Sequence, residues 1–225
     1  MTQDMLETIA IVSGTGAEGF GLALRFARAG VRVIVGSRDA RKAEDAARRI
    51  GAVEGKLNAD AVREADVVVL TVPLAAQIPT LKSVRECFRP SAILVDATVP
   101  LEAAIGGRVS HPLSLWAGSA AQQAARHAPP GVAVVAAFHS LSAELLARVD
   151  EPVDSDVLIC GDSAEAKSVV SGMVAMIEGA RAIDAGPLEN ARLIESAAAL
   201  LISLNIRHKV KHSGLRVTGL GGLGA

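Results

Sequence analysis

A short glycine-rich segment near the start of the chain constrains the fold more than any other feature. The apolar run 8–12 is typical of a buried parallel strand, and Gly14, Gly16 and Gly19 lie between it and an apolar-periodic segment at 20–29. In a dinucleotide-binding turn, the first glycine allows the tight turn, the second admits a pyrophosphate and the third lets the helix pack on the strand. The N-terminus of that helix favours phosphate. The pattern predicts a dinucleotide site, and the alternative is a tight turn without a ligand.

Composition excludes several other classes of protein. Half of the 225 residues are hydrophobic, yet no run approaches the roughly 18 apolar residues of a membrane-spanning helix. A net charge of -1 and 2% aromatic residues argue against nucleic-acid binding. Cys87 and Cys160 lack metal-ligand spacing, so we expect neither a disulfide nor a metal site. The chain has no tyrosine, which excludes the Tyr-Lys chemistry of short-chain dehydrogenases. With no signal-like N-terminus, we expect a cytoplasmic protein without a membrane partner.

The end of the second predicted strand, 31–36, indicates which dinucleotide is bound. An acidic residue here would select NAD through its ribose 2'-hydroxyl, whereas an arginine accommodates the 2'-phosphate of NADP. The sequence has Ser37 and Arg38 at this place, with Lys42 one helical turn further on. These donors suit a phosphate, so the pattern predicts NADP(H). The alternative is a solvated loop with ordinary surface cations.

Strand-like and helix-like segments alternate along the chain, which predicts an α/β fold with a Rossmann-type doubly wound parallel sheet. Further predicted strands are 66–73, 92–98, 131–138, 157–162 and 181–184. Predicted helices are 40–51, 58–65 (a helix or turn), 74–88, 119–126, 164–178 and a long helix that opens at 185–188 and ends at 205. We expect an NADP-binding domain at 1–138, continued by 156–185. A small, mostly helical C-terminal lobe at 186–225 would join the 139–155 loop.

Three other features allow two interpretations each. The strand exits Val72-Pro73 and Val99-Pro100 are expected to form a wall for the nicotinamide half of the dinucleotide, unless each proline merely stops its strand. Trp116 either covers a ligand ring or plugs the edge of a core. The basic segment 207–216 either complements the dipole of the preceding helix or attracts an anionic ligand.

Over nearly its whole length the chain resembles the NADPH-dependent F420 reductases, also called F420:NADP oxidoreductases. The resemblance rests on 36–38, the two Val-Pro exits, His139, 157–162 and, as its most specific piece, 184–192. It implies an oxidoreductase that transfers a hydride between NADP(H) and the deazaflavin coenzyme F420, its small-molecule co-substrate. It also implies a cytoplasmic homodimer, with the nicotinamide C4 facing the deazaflavin C5 between the two lobes.

The resemblance implies a set of site residues as well. His139 is the candidate catalytic residue, which positions the acceptor, and the alternative is a histidine that caps the strand end. Ala17 and Glu18 depart from the family pattern, since other members can carry Asn and an apolar residue there. A carboxylate beside a pyrophosphate would be unhelpful unless it points away. Leu74 and Ser142 replace a Trp and a Pro of at least one archaeal branch. The implied cofactor-binding residues are Gly14, Thr15, Gly16, Ala17, Glu18, Gly19, Ser37, Arg38, Lys42, Pro73, Leu74, Ile78, Leu101 and Ala143, and the substrate residues are His139 and Ser213.

Two other functions stay open on the sequence alone. The same NADPH site would serve a reductase of another flavin-like, quinone or metal-chelate acceptor, or a non-catalytic NADPH-sensing module. The sequence offers no catalytic triad and no Tyr-Lys pair, which agrees with hydride transfer. In that reaction the two cofactors carry the chemistry, and the protein holds the reacting carbons about 3 to 3.5 Å apart.

Overall fold

The computed structural model describes residues 7–220, which are organised by one sheet of eight strands. The strands are β1 (Thr8–Val12), β2 (Arg32–Ser37), β3 (Glu54–Leu57), β4 (Val67–Leu70), β5 (Ile93–Asp96), β6 (Ala133–Ala136), β7 (Ser155–Gly161) and β8 (Ala180–Asp184). Their order across the sheet is β3-β2-β1-β4-β5-β6-β7-β8, and the neighbours from β3 to β6 run parallel. The first six strands have the Rossmann order, so the predicted α/β fold class is confirmed.

Helices connect these strands on both faces of the sheet. They are α1 (Ala17–Arg28), α2 (Ala40–Ile50), α3 (Asn58–Glu64), α4 (Leu74–Val84), α5 (Ala120–His127), α6 (Ala143–Ala147), α7 (Ala164–Ala175) and α8 (Ala191–His208). Short 3-10 turns lie at Arg85–Cys87, Glu102–Ile105 and Leu188–Asn190. Short polar residues fix several helix starts, because their side chains accept from first-turn N–H groups. Asp39 caps α2 in this way, Ser119 caps α5 and Ser163 caps α7.

The core has two layers, one on each face of the sheet. Successive side chains of a strand point to opposite faces, so Ile9 and Ile11 pack in one layer with Phe26 of α1. Ala10 packs in the other layer with Leu81 of α4. This two-sided burial explains why the strands are continuous apolar runs rather than alternating ones. Because the strands from β3 to β6 run parallel, their carboxyl ends lie together at one edge of the sheet.

One strand pairing differs from the sequence-based expectation. The sequence predicts a parallel sheet throughout, but β7 runs antiparallel to β6, with Ala136 opposite Cys160. The reason lies in the connection at 137–154, which packs on α1 instead of crossing back over the sheet. Buried Arg25 of α1 holds this connection by donating to carbonyl oxygens that include those of Leu145 and Leu146. The chain therefore re-enters the sheet at the end where β6 left it.

Two elements escape sequence analysis. Strand β3 has a polar sequence, Glu-Gly-Lys-Leu, because it lies at the edge of the sheet and is only part-buried. Helix α6 has five residues and lies in the segment predicted as a loop. The predicted division into two domains stays a prediction. Among the helices within 7–220, none is long and apolar enough to cross a membrane.

Candidate functional site: a glycine turn beside an acid-lined cleft

The glycine turn lies at the carboxyl end of β1, where the strand order reverses between β1 and β4. This is the place where open α/β sheets bind ligands. The N–H of Gly14 donates to the carbonyl oxygens of Ile11 at 3.1 Å and Gly36 at 3.0 Å. A Cβ atom on Gly14 would lie 2.8 Å from the Ile11 oxygen. The tight turn therefore requires a glycine at this position.

Gly19 and Gly16 serve different purposes. A Cβ atom on Gly19 would lie 2.5 Å from Thr71 Oγ1 and 2.7 Å from Gly14 Cα, so this glycine is needed for packing inside the protein. On Gly16 the nearest atom would be the Ser13 oxygen at 3.8 Å, which leaves open space. No side chain caps α1 at Gly16, so the first N–H groups of the helix are available to an anion. Thr15, Gly16 and Ala17 are exposed around this open space.

A buried asparagine supports the turn and was missed by sequence reasoning. Asn58 begins α3, and its Oδ1 accepts from the Ser13 N–H at 3.2 Å. A Cβ atom on Gly36 would lie 2.8 Å from the same oxygen, so β2, the turn and α3 meet without room for a larger residue. The signal in the sequence was a single polar residue at a helix start. That signal indicates a cap but not its partner.

The predicted 2'-phosphate residues lie at the carboxyl end of β2. Ser37 is buried, and its Oγ accepts from the Asp39 N–H at 3.2 Å. Asp39 could be mistaken for an NAD-selecting acid, but its carboxylate caps α2 by accepting from the N–H groups of Arg41 and Lys42. Arg38 and the side chain of Lys42 are exposed, in positions where they can receive a phosphate.

The residues of the two Val-Pro exits separate into two places. Pro73 ends the first exit, and α4 begins at Leu74 at the carboxyl end of β4, with Ile78 half-buried one turn later. Leu101, after the second exit, lies instead in a cleft at the carboxyl ends of β5 and β6. From the predicted set this cleft, with a volume of about 340 Å³, brings together Glu18, Leu101, His139, Ala143 and Ser213.

His139 is the least satisfied polar side chain of the cleft. It is 8% exposed, and neither ring nitrogen has a hydrogen-bond partner in the part of the chain that the structure describes. The capping alternative is therefore wrong, because a cap needs such a bond. Burial lowers the pKa of His139 to about 3, which keeps the imidazole neutral. A buried, unpartnered imidazole is suited to a polar group supplied by a ligand.

Two buried carboxylates lie beside His139, and sequence reasoning missed both. Asp96 accepts from Gln77 Nε2 at 3.0 Å and Thr98 Oγ1 at 2.8 Å. Glu195 accepts from the first N–H groups of α5 at 3.0 and 3.1 Å. Burial raises the pKa of Asp96 to about 7 and that of Glu195 to about 8. Donor atoms of Asp96, His139 and Glu195 lie within 4.8 Å of one another, close enough to share protons or a cation.

The C-terminal segment forms a strap over β7, defined here as residues 213–217. Arg216 pairs with Asp154 and with buried Asp156, so it is a structural cation rather than one that awaits an anionic ligand. The strap holds Ser213 at the cleft, where its Oγ donates to the Leu201 oxygen at 3.3 Å. Lys211 also lines the cleft and lies 3.9 Å from Glu144. The basic segment therefore has both structural and cleft-facing members.

Several large apolar side chains are exposed, some of them on the C-terminal helix. Trp116 is fully exposed, so the interpretation that it plugs the edge of the core is wrong for this chain. The leucines of α8 differ in burial, because Leu201 is buried whereas Leu193 and Leu200 are each 60% exposed. The outer face of α8 is thus unusually apolar for a solvated surface.

Known proteins share both the sequence and the fold of this chain. The family model "NADP oxidoreductase coenzyme F420-dependent" matches residues 8–100. An F420-dependent NADP reductase of Methanothermobacter thermautotrophicus is 49% identical over 229 residues, which cover 98% of each chain. The chain belongs to the F420-dependent NADP reductase family. Another member, from Methanocaldococcus jannaschii, is 40% identical over 94% of this chain and 98% of its own length.

The fold of this reductase family member agrees with solved structures. A crystal structure from Arthrobacter sp. FB24, provisionally named as an F420-dependent NADP reductase, matches with a TM-score of 0.81. The match covers 95% of this chain and all of the other, at 23% identity, and so concerns the fold. The prediction of the family from sequence is confirmed by the curated relatives.

Proposed function

We propose that this protein transfers a hydride between NADP(H), bound at the glycine turn, and coenzyme F420, bound in the cleft. The observation that carries the proposal is that the glycine turn and the cleft adjoin each other. Glu18 belongs to the first turn of α1, yet its side chain lines the same cleft as His139 and Ser213. A dinucleotide on the turn therefore reaches the cleft, where its nicotinamide can meet a second ring. Family membership supports the identity of both cofactors.

The described residues fit each part of NADP(H). The N-terminus of α1 receives the pyrophosphate, and Ser37, Arg38 and Lys42 receive the 2'-phosphate at the end of β2. With the adenosine half on the β2 side, the nicotinamide half lies on the other side of β1. It passes Pro73, Leu74 and Ile78 and enters the cleft beside Leu101 and Ala143.

The cleft supplies the acceptor side. The neutral imidazole of His139 offers one donor and one acceptor to a ring carbonyl or amide of the deazaflavin. Ser213 gives a hydroxyl oxygen as a further acceptor, and Lys211 gives positive charge for an anionic coenzyme tail. When bound, the two cofactors supply the hydride chemistry. The protein holds them together and excludes water.

The same proposal includes a homodimer in the cytoplasm. The exposed apolar face of α8, with Leu193 and Leu200, is the kind of surface that a second subunit covers. Leu204, four residues after Leu200, extends the same exposed apolar face. The proposed division of the chain is an NADP-binding domain that carries the turn and a small C-terminal lobe that carries Ser213.

Anaerobic mixing of the protein with NADPH and F420 tests the function. We expect the deazaflavin absorbance to fall with the stoichiometry of NADPH oxidation. Parallel reactions with a flavin, a quinone and a ferric chelate test the alternative acceptors. Faster turnover with one of these compounds than with F420 would identify that compound as the acceptor in place of F420. Tight NADPH binding without oxidation by any acceptor would indicate a sensing module.

A further inference from the structure

Glu18 is an acidic residue in a place where a dinucleotide-binding turn has little use for one. We propose that Glu18 selects between the oxidised and reduced nicotinamide according to its own ionisation. The carboxylate would bind the cationic ring of NADP+, and the protonated carboxyl would favour the neutral ring of NADPH. The inference rests on the proposed function, because it needs the nicotinamide in the cleft.

The position of Glu18 carries the first step. The side chain is half-buried and lines the cleft with Leu101 and His139, so it points away from the open side of the turn at Gly16. The adenosine half of the dinucleotide lies toward Arg38, on the β2 side of the turn. The nicotinamide ring is the part of the cofactor that reaches the cleft. It is also the part whose charge differs between NADP+ and NADPH.

The surrounding charges carry the second step. Asp96 at the end of β5 lies near enough to Glu18 to act on its charge, and His139, Glu144 and Lys211 line the same cleft. Glu195 on α8 lies beside Asp96 and His139. Glu144 forms ion pairs with Arg148 and Lys211. Within residues 7–220, no ion pair involves Glu18, Asp96 or Glu195. Basic side chains within the described residues therefore balance the charge of Glu144 but not that of Glu18, Asp96 or Glu195.

These two steps give a linkage between proton and cofactor. Burial, with Asp96 adding a smaller contribution, raises the pKa of Glu18 to about 8, so the carboxyl is mostly protonated at neutral pH. A cationic ring lowers that pKa again, because it favours the ionised carboxylate. Binding of NADP+ then releases a proton, whereas binding of NADPH does not. Rising pH therefore strengthens NADP+ binding relative to NADPH binding.

Calorimetric titrations with NADP+ and with NADPH between pH 6.5 and 8.5 test the inference. The ratio of the two dissociation constants is the quantity of interest, since the 2'-phosphate and pyrophosphate are common to both cofactors and cancel. For the unmodified protein we expect the ratio Kd(NADP+)/Kd(NADPH) to fall about five- to tenfold over this range. Titrations in buffers of different ionisation enthalpy should show release of about half a proton per NADP+ near pH 7.5.

Three variants identify the group. Glu18→Gln keeps the shape of the side chain and should give a flat ratio without proton release, whereas Glu18→Asp should keep part of the pH dependence. Glu165→Gln is the matched control, because Glu165 is an exposed first-turn acid of α7. It should behave as the unmodified protein.

The outcomes separate the two proposals. A pH-independent ratio in the unmodified protein, or an unchanged pH dependence in Glu18→Gln, would overturn the role of Glu18 and leave hydride transfer to F420 standing. The second result would assign the proton to Asp96 or Glu195. Failure of the unmodified protein to bind either nucleotide would overturn the proposed function, and the role of Glu18 with it.

Discussion

The two halves of the site are built by opposite means. At the glycine turn and the end of β2, backbone N–H groups and exposed cations face open space, and each position follows from residues adjacent in the chain. In the cleft, side chains from α1, the loop after β6 and α8 come together, and the buried acids Asp96 and Glu195 lie beside His139. In our proposals the first half binds the phosphates of NADP(H), and the second binds the nicotinamide ring, whose charge differs between NADP+ and NADPH. A site for charge recognition can be local, whereas a site for chemistry depends on the whole fold.

The largest expected effect separates the two uses of glycine in the turn. Gly16→Val meets no protein atom that would exclude it, and its φ of -74° suits an ordinary residue, so thermal stability should be kept. NADPH binding should be lost, because the side chain fills the space of the pyrophosphate. Gly19→Val is the paired variant, whose side chain clashes with Thr71 and Gly14. It should be destabilised by about 1–3 kcal/mol, the usual cost of overpacking a core.

Melting curves and NADPH titrations of both variants give the comparison. If Gly16→Val bound NADPH with unchanged affinity, the turn would be only structural. If Gly16→Val melted at as low a temperature as Gly19→Val, the space at Gly16 would be too small for a side chain.

The second prediction concerns the strap that closes the cleft half. Arg181, together with Arg216 and the Val217 N–H, holds the pKa of Asp156 well below its usual range. Asp156→Asn should cost about 3 kcal/mol of folding stability, the low end for one partner of a buried ion pair, because the arginines are part-exposed. Displacement of Ser213 should raise KM for F420 and leave NADPH affinity unchanged. An unchanged KM for F420 would show that the strap is not part of the acceptor site.

The same carboxylate predicts a pH dependence of stability. Because the folded-state pKa of Asp156 is depressed, its stabilisation is fully present above its unfolded pKa of about 3.9. That contribution should fall as the pH falls below about 4. In urea unfolding curves between pH 3 and 6, the difference between the unmodified protein and Asp156→Asn should shrink only at the acidic end.

The third prediction concerns the anion half of the site. Arg38→Ala should weaken NADPH binding by about 1.5–3 kcal/mol, the range for a hydrogen bond to a charged group, and should leave NADH binding nearly unchanged. Arg48→Ala is the control, since Arg48 lies in the last turn of α2 and pairs with Asp45. Equal losses of affinity for NADPH and NADH would show that Arg38 does not bind the 2'-phosphate.

The contrast between the halves also explains what sequence could predict. The Rossmann order, the turn and the end of β2 follow from local periodicity and spacing, and so they were predicted. Asp96 and Glu195 were not, because each is a single acid in an apolar segment, and each also bonds to a residue of another element, Gln77 of α4 or Ala120 of α5. The antiparallel direction of β7 was not predicted for a related reason. It depends on hydrogen bonds from Arg25 to a segment 120 residues or more away.

The smallest effect is expected at the rim of the cleft, where the basic segment is divided. Lys211 is largely exposed and lines the cleft, whereas Arg216 is held by Asp154 and Asp156. Lys211→Gln should raise KM for F420 only about two- to fivefold, since an exposed charge contributes little, and the effect should vanish at high salt. Arg216→Gln should instead lower the melting temperature, with a change in KM for F420 that salt does not remove. Steady-state kinetics at two ionic strengths, with melting curves for both variants, test this assignment. A salt-sensitive change in KM for F420 in Arg216→Gln but not in Lys211→Gln would contradict it.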